Sequence, residues 1–278
     1  MTSTRYARVL SIAGSDSGGG AGIQADLKTF SALGCYGMTA VTALTAQNTR
    51  GVSGIHAVPP AFLKAQLQAV IEDIGVDAVK IGMLHAPEIV EVVAWAIDTY
   101  RLPNVVLDPV MVATSGDRLI AQETVQVLVR ELFPRCVLVT PNLDEVSLLL
   151  DRPVTEASAL RQAAADLMAL GARAVLVKGG HLQGDEVVDV LGLAGPPVSF
   201  EEIRAPRIAC TNTHGTGCTL SSAIACGLAL GHDLPEGVRQ AAGFVRAAMA
   251  SGATVRTGGG HGPLDHGHAP VASRRFAL

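Results

Sequence analysis

The stretch AVKIGMLHAPEIVEVVAWAIDTYRLPNVVLD, Ala78 to Asp108, sets the fold class. It opens on a short apolar run, passes through Pro87 into a segment with apolar residues at helical spacing as far as about Tyr100, and closes on a second apolar run. Short apolar runs bounded by glycine and by a helix read as strands buried on both faces. Two of them joined by one amphipathic helix form a unit whose strands lie parallel.

The same alternation extends both ways. Upstream come VLSIA, an amphipathic stretch to Leu33, MTAVTAL, and a helix from Pro60 through Ile74. Downstream come a helix around Glu123 to Leu132, CVLVT, two helices up to Leu170, and AVLVK. After Lys178 the segments shorten to EVVDVLGL and VSFEEIR around a Gly-Pro-Pro turn, which predicts antiparallel strands at a sheet edge. Two helices follow, about Thr216 to Ala229 and Pro235 to Ala250, and then a tail rich in glycine and histidine. The prediction is an α/β chain, a mostly parallel sheet covered by helices, folded as one domain over residues 1–278. The end, Ala269 to Leu278, is expected to be loosely packed, and His261, His266 and His268 to be solvated.

Charged residues make up 17% of the chain and hydrophobic ones 49%, with 4% aromatic, so aliphatic packing must supply the core. The net charge of −4 is spread without a basic block, which argues against a nucleic-acid partner and for a small molecule. No run approaches the roughly 20 apolar residues of a membrane span, and no signal peptide is expected. Five cysteines without a CxxC pair fit a reducing, cytoplasmic setting. Lysine is scarce, only Lys28, Lys64, Lys80 and Lys178, so each one merits attention.

Ligands of such sheets sit at the carboxyl ends of the strands. There the sequence gathers Gly14, Ser15 and Asp16; Gln47 and Asn48; Gly82 and Met83; Asp108; Asn142 and Glu145; and Lys178. SGGGAGIQAD, Ser17 to Asp26, matches the dinucleotide fingerprint GxGxxA, but the next strand ends in Gln47 where that fingerprint needs an acid. A loop folding over a small substrate accounts for the glycines and for Asp26 and Lys28 after them. No GxxxxGK[ST] is present, so phosphate has to be handled elsewhere.

THGTGC, Thr213 to Cys218, offers that place. Gly215, Thr216 and Gly217 before a helix point N–H groups one way and form an anion hole. The same groups and the helix dipole are expected to lower the pKa of Cys218. The alternative is a thiol that only packs beneath its helix, as Cys226 is expected to do. As a nucleophile Cys218 would want His214, which fits a solvent-facing place equally well, and as a metal ligand it lacks partners at zinc spacing. As a proton acceptor it needs only a substrate hydroxyl. In TPNLDE, Asn142 and Glu145 suit both a capping box and the hydrated Mg²⁺ of a nucleotide. Lys178 is a point charge suited to phosphate.

With these motifs in order, the chain resembles the hydroxymethylpyrimidine and phosphomethylpyrimidine kinases of thiamine biosynthesis, which have a ribokinase-like, three-layer α/β/α fold. The likeness runs from IAGSDSGGGAGIQADLKTF through TAQNTRGV, KIGML, VLDPVM, SGD, TPNLDE, VLVKGGH and TNTHGTGCTLSSA to GHGPLDH. The wider group has an aspartate base in the hole. Here, as in this family and its pyridoxal kinase relatives, Cys218 stands in that place. The resemblance implies ATP and Mg²⁺ as cofactors and a homodimer without a fused partner domain. It places the pyrimidine near Gly14, Asp26 and Gln47, with Met83 and Val110 closing its faces. It assigns Asn142, Glu145, Lys178 and Thr211 to ATP and its metal, with Asp108 near the metal's waters. It also implies two successive phosphorylations, of the 5-hydroxymethyl group and then of the monophosphate. A pyridoxal kinase is the nearest rival. Relatives of that kind can carry a second cysteine after DPVM, where VATSGD has none. A non-catalytic sensor would be expected to have lost part of the hole, Lys178 or Glu145, and a thiol hydrolase would act without ATP.

Overall fold

The computed structural model describes residues 3–111, 120–180 and 182–277. The segment after DPVM, VATSGD, lies outside the described residues. In chain order the elements are β1 (Thr4–Tyr6), β2 (Arg8–Asp16), α1 (Gly22–Ala32), β3 (Tyr36–Asn48), β4 (Gly51–Ala57), α2 (Pro60–Asp73), β5 (Ala78–Ile81), α3 (Pro87–Tyr100) and β6 (Val105–Leu107). They continue with α4 (Gln122–Leu132), β7 (Leu138–Val139), α5 (Leu143–Leu150), α6 (Leu160–Ala169), β8 (Ala174–Val177), β9 (Glu186–Leu193), β10 (Ser199–Pro206), α7 (Thr216–Ala229), α8 (Leu234–Gly252) and β11 (Arg275–Ala277).

Nine strands form one sheet in the order β10-β9-β8-β7-β6-β5-β2-β3-β4. The pairs from β8 across to β3 are parallel, while β9, β10 and β4 are attached antiparallel at the two edges. The edge pair β9–β10 follows the sequence prediction. The strand β4 does not: GVSGIHA is largely exposed and carries no clear alternation, so it left no sequence signal.

Side chains alternate across each strand, and the two faces take different helices. Leu10 and Ile12 of β2 and Val79 and Ile81 of β5 pack into the larger core with α2 to α6. Val9 and Ala78 face the opposite layer, with Phe30 of α1, Ile224 of α7 and Val238 of α8. The chain winds from β2 to β3 in one direction and then, from β5 onward, in the other. That reversal opens a crevice at the carboxyl ends of β2 and β5, the usual ligand position in such sheets.

The tail is more ordered than expected. β11 pairs with β1, and the N–H groups of Val271 and Arg274 donate to Ala32 O and Gly34 O. His266 is buried rather than solvated, its Nε2 2.9 Å from Thr219 Oγ1 on α7. Burial, followed by the charge of Lys28, pushes its pKa down to about 4. The unfolded chain therefore binds this proton near pH 6.5 and the native one only near pH 4, so stability is lost as pH falls through that window. Urea unfolding at pH 7 and pH 4.5 should show His266→Gln losing about 2 kcal/mol less between the two than the parent chain.

Candidate active site

A cavity of about 850 Å³ opens at the carboxyl ends of the strands and reaches from Gln47 and Ile55 at one end to Val245 and Met249 at the other. THGTGC lies on its wall. Gly215 is the N-cap of α7 with φ +84°, and a Cβ there would stand 1.9 Å from Gly20 O. Only glycine allows the two loops this approach. Gly217 serves another contact, because a Cβ would sit 3.1 Å from Lys178 Nζ and 3.4 Å from Asp108 Oδ2. The N–H of Thr216 is taken by Thr213 O at 3.2 Å. Among the described residues, the N–H groups of Gly217 and Cys218 donate to no protein acceptor. Two open donors at the positive end of a 14-residue helix form an anion site.

Cys218 lines the cavity at this turn. Its pKa moves opposite to the sequence expectation: burial pushes the thiol up to about 11. The charge of Lys80 opposes the rise, and the carboxylates of Asp26 and Asp108 add to it. Loss of water around a thiolate outweighs what the helix terminus returns. The ligand-free thiol is therefore neutral at pH 7.

Against the same turn, Lys178 Nζ donates to Asp108 Oδ1 at 2.8 Å, and Thr140 Oγ1 donates to the same oxygen at 3.0 Å. Asn142 and Glu145 form the capping box of α5, the Asn142 N–H donating to Glu145 Oε2 at 2.7 Å and the Glu145 N–H to Asn142 Oδ1 at 3.0 Å. Burial raises the Glu145 pKa to about 7, against the pull of Lys178. Among the described residues no three His, Cys, Asp or Glu side chains converge as metal ligands. Two carboxylates, Asp108 and Glu145, beside Lys178 fit a cation held mainly by water and phosphate oxygens. Thr211, which the resemblance assigns to ATP, is not brought to the cavity wall with the others. It is exposed, and Cys210 and Thr213 line that wall on either side of it.

On the opposite side, Gly14, Gln47, Met83 and Val110 all line the cavity. A Cβ on Gly14 would stand 2.6 Å from Met83 Cε, so the glycine makes room for that methionine. Gln47 Oε1 accepts from Thr45 Oγ1 at 3.1 Å. Asp26, expected beside the pyrimidine, is instead completely buried under the cavity floor in an ion pair with Lys80. Its place on the inner face of α1 turns it toward the sheet.

The sequence named Asp16, His214 and Lys28 but not their contacts, and Arg207 escaped it. Asp16 Oδ1 accepts from Gly18 N at 2.8 Å, and its Oδ2 accepts from Gly20 N at 3.0 Å and Ala21 N at 2.8 Å. His214 Nε2 lies 2.8 Å from the same Oδ2, so His214 is buried and bridges the two loops rather than facing solvent. Burial works against ionisation of Asp16, but His214 and these N–H groups hold its pKa below the usual value. Lys28 donates to Gly19 O at 2.7 Å, closing the glycine loop onto its own helix. Arg207 donates to Gly184 O at 2.7 Å and Gly180 O at 2.9 Å, and also to Leu182 O, fixing the turn beyond Lys178. The spacing of 198 residues between Asp16 and His214 leaves no local pattern to read.

Residues 16–265 match the family model described as phosphomethylpyrimidine kinase. The hydroxymethylpyrimidine/phosphomethylpyrimidine kinase of Streptomyces coelicolor is 50% identical over 263 residues, covering 94% of each chain. Its counterpart in Escherichia coli is 47% identical over 262 residues, covering 94% of this chain and 97% of the relative. A thiamine biosynthesis bifunctional protein of Geobacter sulfurreducens is 51% identical, and there the chain spans only 52% of the relative's length. Among solved structures, an ADP complex of Bacillus subtilis pyridoxal kinase superposes with TM-score 0.86 at 37% identity, covering 94% of this chain and 98% of that one. The phosphomethylpyrimidine kinase of Clostridium difficile 630 gives 0.75 at 40% identity, covering 86% and 97%. The α/β fold is that of the ribokinase-like kinases. With the match spanning most of the sequence, the chain belongs to the phosphomethylpyrimidine kinase family.

Proposed function

We propose that this chain phosphorylates 4-amino-5-hydroxymethyl-2-methylpyrimidine with ATP and then phosphorylates the monophosphate; relatives named hydroxymethylpyrimidine/phosphomethylpyrimidine kinase support the reading. One observation carries the assignment: the open N–H groups of Gly217 and Cys218, with Lys178 and Asp108 against the same turn, stand between the Gln47 side and the Val245 side of one cavity. A hydroxyl donor on one side and a triphosphate on the other would meet at that turn, where transfer depends mainly on positioning and on neutralising charge.

In this reading Gln47 presents an amide able to pair with a ring nitrogen and an exocyclic amine, and Met83 and Val110 bound the ring. Lys178 and the two N–H groups hold the charge that develops on the moving phosphoryl group. Cys218, once its thiol proton has left to water, takes the proton of the substrate hydroxyl. The new O–P bond forms as the bond to the ADP oxygen breaks, and the thiol returns that proton to water after release of product. Asp108 and Glu145 would hold Mg²⁺, which when bound neutralises phosphate charge.

The same reading makes the enzyme one domain, a cytoplasmic homodimer. Five free cysteines support a reducing compartment. The edge strand β4, with Leu44 of β3, Ile55 of β4 and Phe62 of α2 exposed, supports self-association.

A coupled ADP-release assay with hydroxymethylpyrimidine, its monophosphate and pyridoxal, side by side, tests the assignment. ADP release with both pyrimidines, and weaker release with pyridoxal, is expected. Release with pyridoxal alone would move the chain to that activity, and release with none would make it a sensor.

A further inference from the structure

A strand buried on both faces of a parallel sheet is normally apolar throughout. β5 departs from this at one position: Ala78, Val79 and Ile81 are apolar, Lys80 is charged, and all four are fully buried. The alternation of the strand turns Lys80, with Ala78, toward the layer of α1 and α7. There Nζ donates to both oxygens of Asp26, at 2.9 Å each. The carboxylate also accepts from Ser11 Oγ at 2.6 Å and from Ser222 Oγ at 2.7 Å. β2, β5 and α7 thus converge on one carboxylate of α1, and Ser222 lies one helical turn beyond Cys218.

Replacing a buried ion pair by apolar groups is often neutral or stabilising, so stability alone is a poor reason for this one. Its location supplies a better reason, because Lys80, with no exposed surface of its own, lies directly behind the cavity wall that Cys218 lines. The charges acting on Cys218 come from four elements. Lys80 on β5 and Lys178 beyond β8 are positive, whereas Asp26 on α1 and Asp108 beyond β6 are negative. Asp26 occupies two of the three ammonium donors of Lys80, and the third has no partner among the described residues.

We propose that Lys80 is a positioning residue for the phosphoryl transfer: it holds a fixed positive charge beneath Cys218, while its anchor Asp26 ties the middle of α7 to β2 and β5. The inference rests on Cys218 as the acceptor of the substrate proton. Lys80 does not take that proton itself. Burial disfavours its charge, but Asp26 more than compensates, and the ammonium stays ionised.

Lys80→Met strands the Asp26 carboxylate, so the double variant Lys80→Met/Asp26→Asn is made beside it, the amide keeping an oxygen for the serine hydroxyls. Alkylation of Cys218 by iodoacetamide in the ligand-free protein is followed from about pH 6 to 11 by peptide mass spectrometry, alongside kcat and KM. Because Asp26→Asn by itself removes a charge that raises the Cys218 pKa, the folded double variant is compared with Asp26→Asn alone, from which it differs only at Lys80, and its Cys218 profile is expected to lie about one pH unit or more higher. Its kcat at pH 7.5 should fall at least about tenfold with KM within about threefold, and part of the loss should return at pH 9. An alkylation profile in the folded double variant that matches that of Asp26→Asn alone overturns the proposal, as does a fall in kcat that does not ease at higher pH. The alkylation arm needs no turnover, so it separates failure of the Lys80 proposal from failure of the Cys218 assignment, which Cys218→Ala tests.

Discussion

Alanine at Gly215 is expected to cut turnover by roughly 10²- to 10³-fold and to lower stability by about 2 kcal/mol. The residue sits at φ +84°, a region that costs a side-chain-bearing residue about 1–2 kcal/mol. The added Cβ would also lie 1.9 Å from Gly20 O, which is backbone and cannot rotate away. Gly20 is itself held, its N–H donating to Asp16 Oδ2 at 3.0 Å, and any Cβ of its own would be 2.5 Å from His214 Cδ2. Relief must therefore come from moving either the first turn of α7 or the loop against it. Either movement misplaces the N–H groups of Gly217 and Cys218, and a displacement near 1 Å costs about 100-fold. Gly231→Ala provides the control. It has φ +91° but nothing within 4 Å of its Cβ, so it should lose about 1 kcal/mol and keep its turnover. Steady-state kinetics and urea unfolding of the two variants check both halves.

Cys218→Ala is expected to lower kcat by about 10²- to 10⁴-fold while pyrimidine affinity stays within a few-fold. The substitution removes the sulfur and leaves the backbone N–H groups in place, so the anion site should persist. With the ligand-free thiol pushed up to about 11, the reactive thiolate is a small fraction at neutral pH. Wild-type kcat should accordingly rise with pH through the neutral range, while the residual rate of the alanine variant should not. Calorimetric titration of the pyrimidine together with a pH–rate profile checks this. Unchanged turnover in the variant would remove Cys218 as the base and leave positioning and charge neutralisation to explain the reaction.

These two residues mark where sequence and structure part. That Gly215 and Gly217 flank the start of a helix was legible, because glycine before an apolar helical run has few other uses, and α7 begins and ends where the periodicity places it, Thr216–Ala229. The charge state of Cys218 was not legible. The local features, glycines and a helix terminus, favour a thiolate. The deciding ones are burial and the charges of Lys80, Asp26 and Asp108, which lie at least 110 residues away in the chain. Asp26 makes the same point: its position after a glycine loop suggested a ligand group, and only the packing of α1 on the sheet shows it facing Lys80.

The sequence by itself determined the α/β class, the parallel core strands, the edge pair β9–β10, and most of the groups that line the cavity, because strand and helix periods and glycine chemistry are local. Tertiary structure alone decided the exposed edge strand β4 and the pairing of the tail through β11. It also decided the Asp16–His214 bridge, the exposure of Thr211, and the buried Lys80–Asp26 pair beneath Cys218. Each of these depends on which distant segments share a layer. Hydration and electrostatic energies follow distance in space, and the chain's own order does not record that distance.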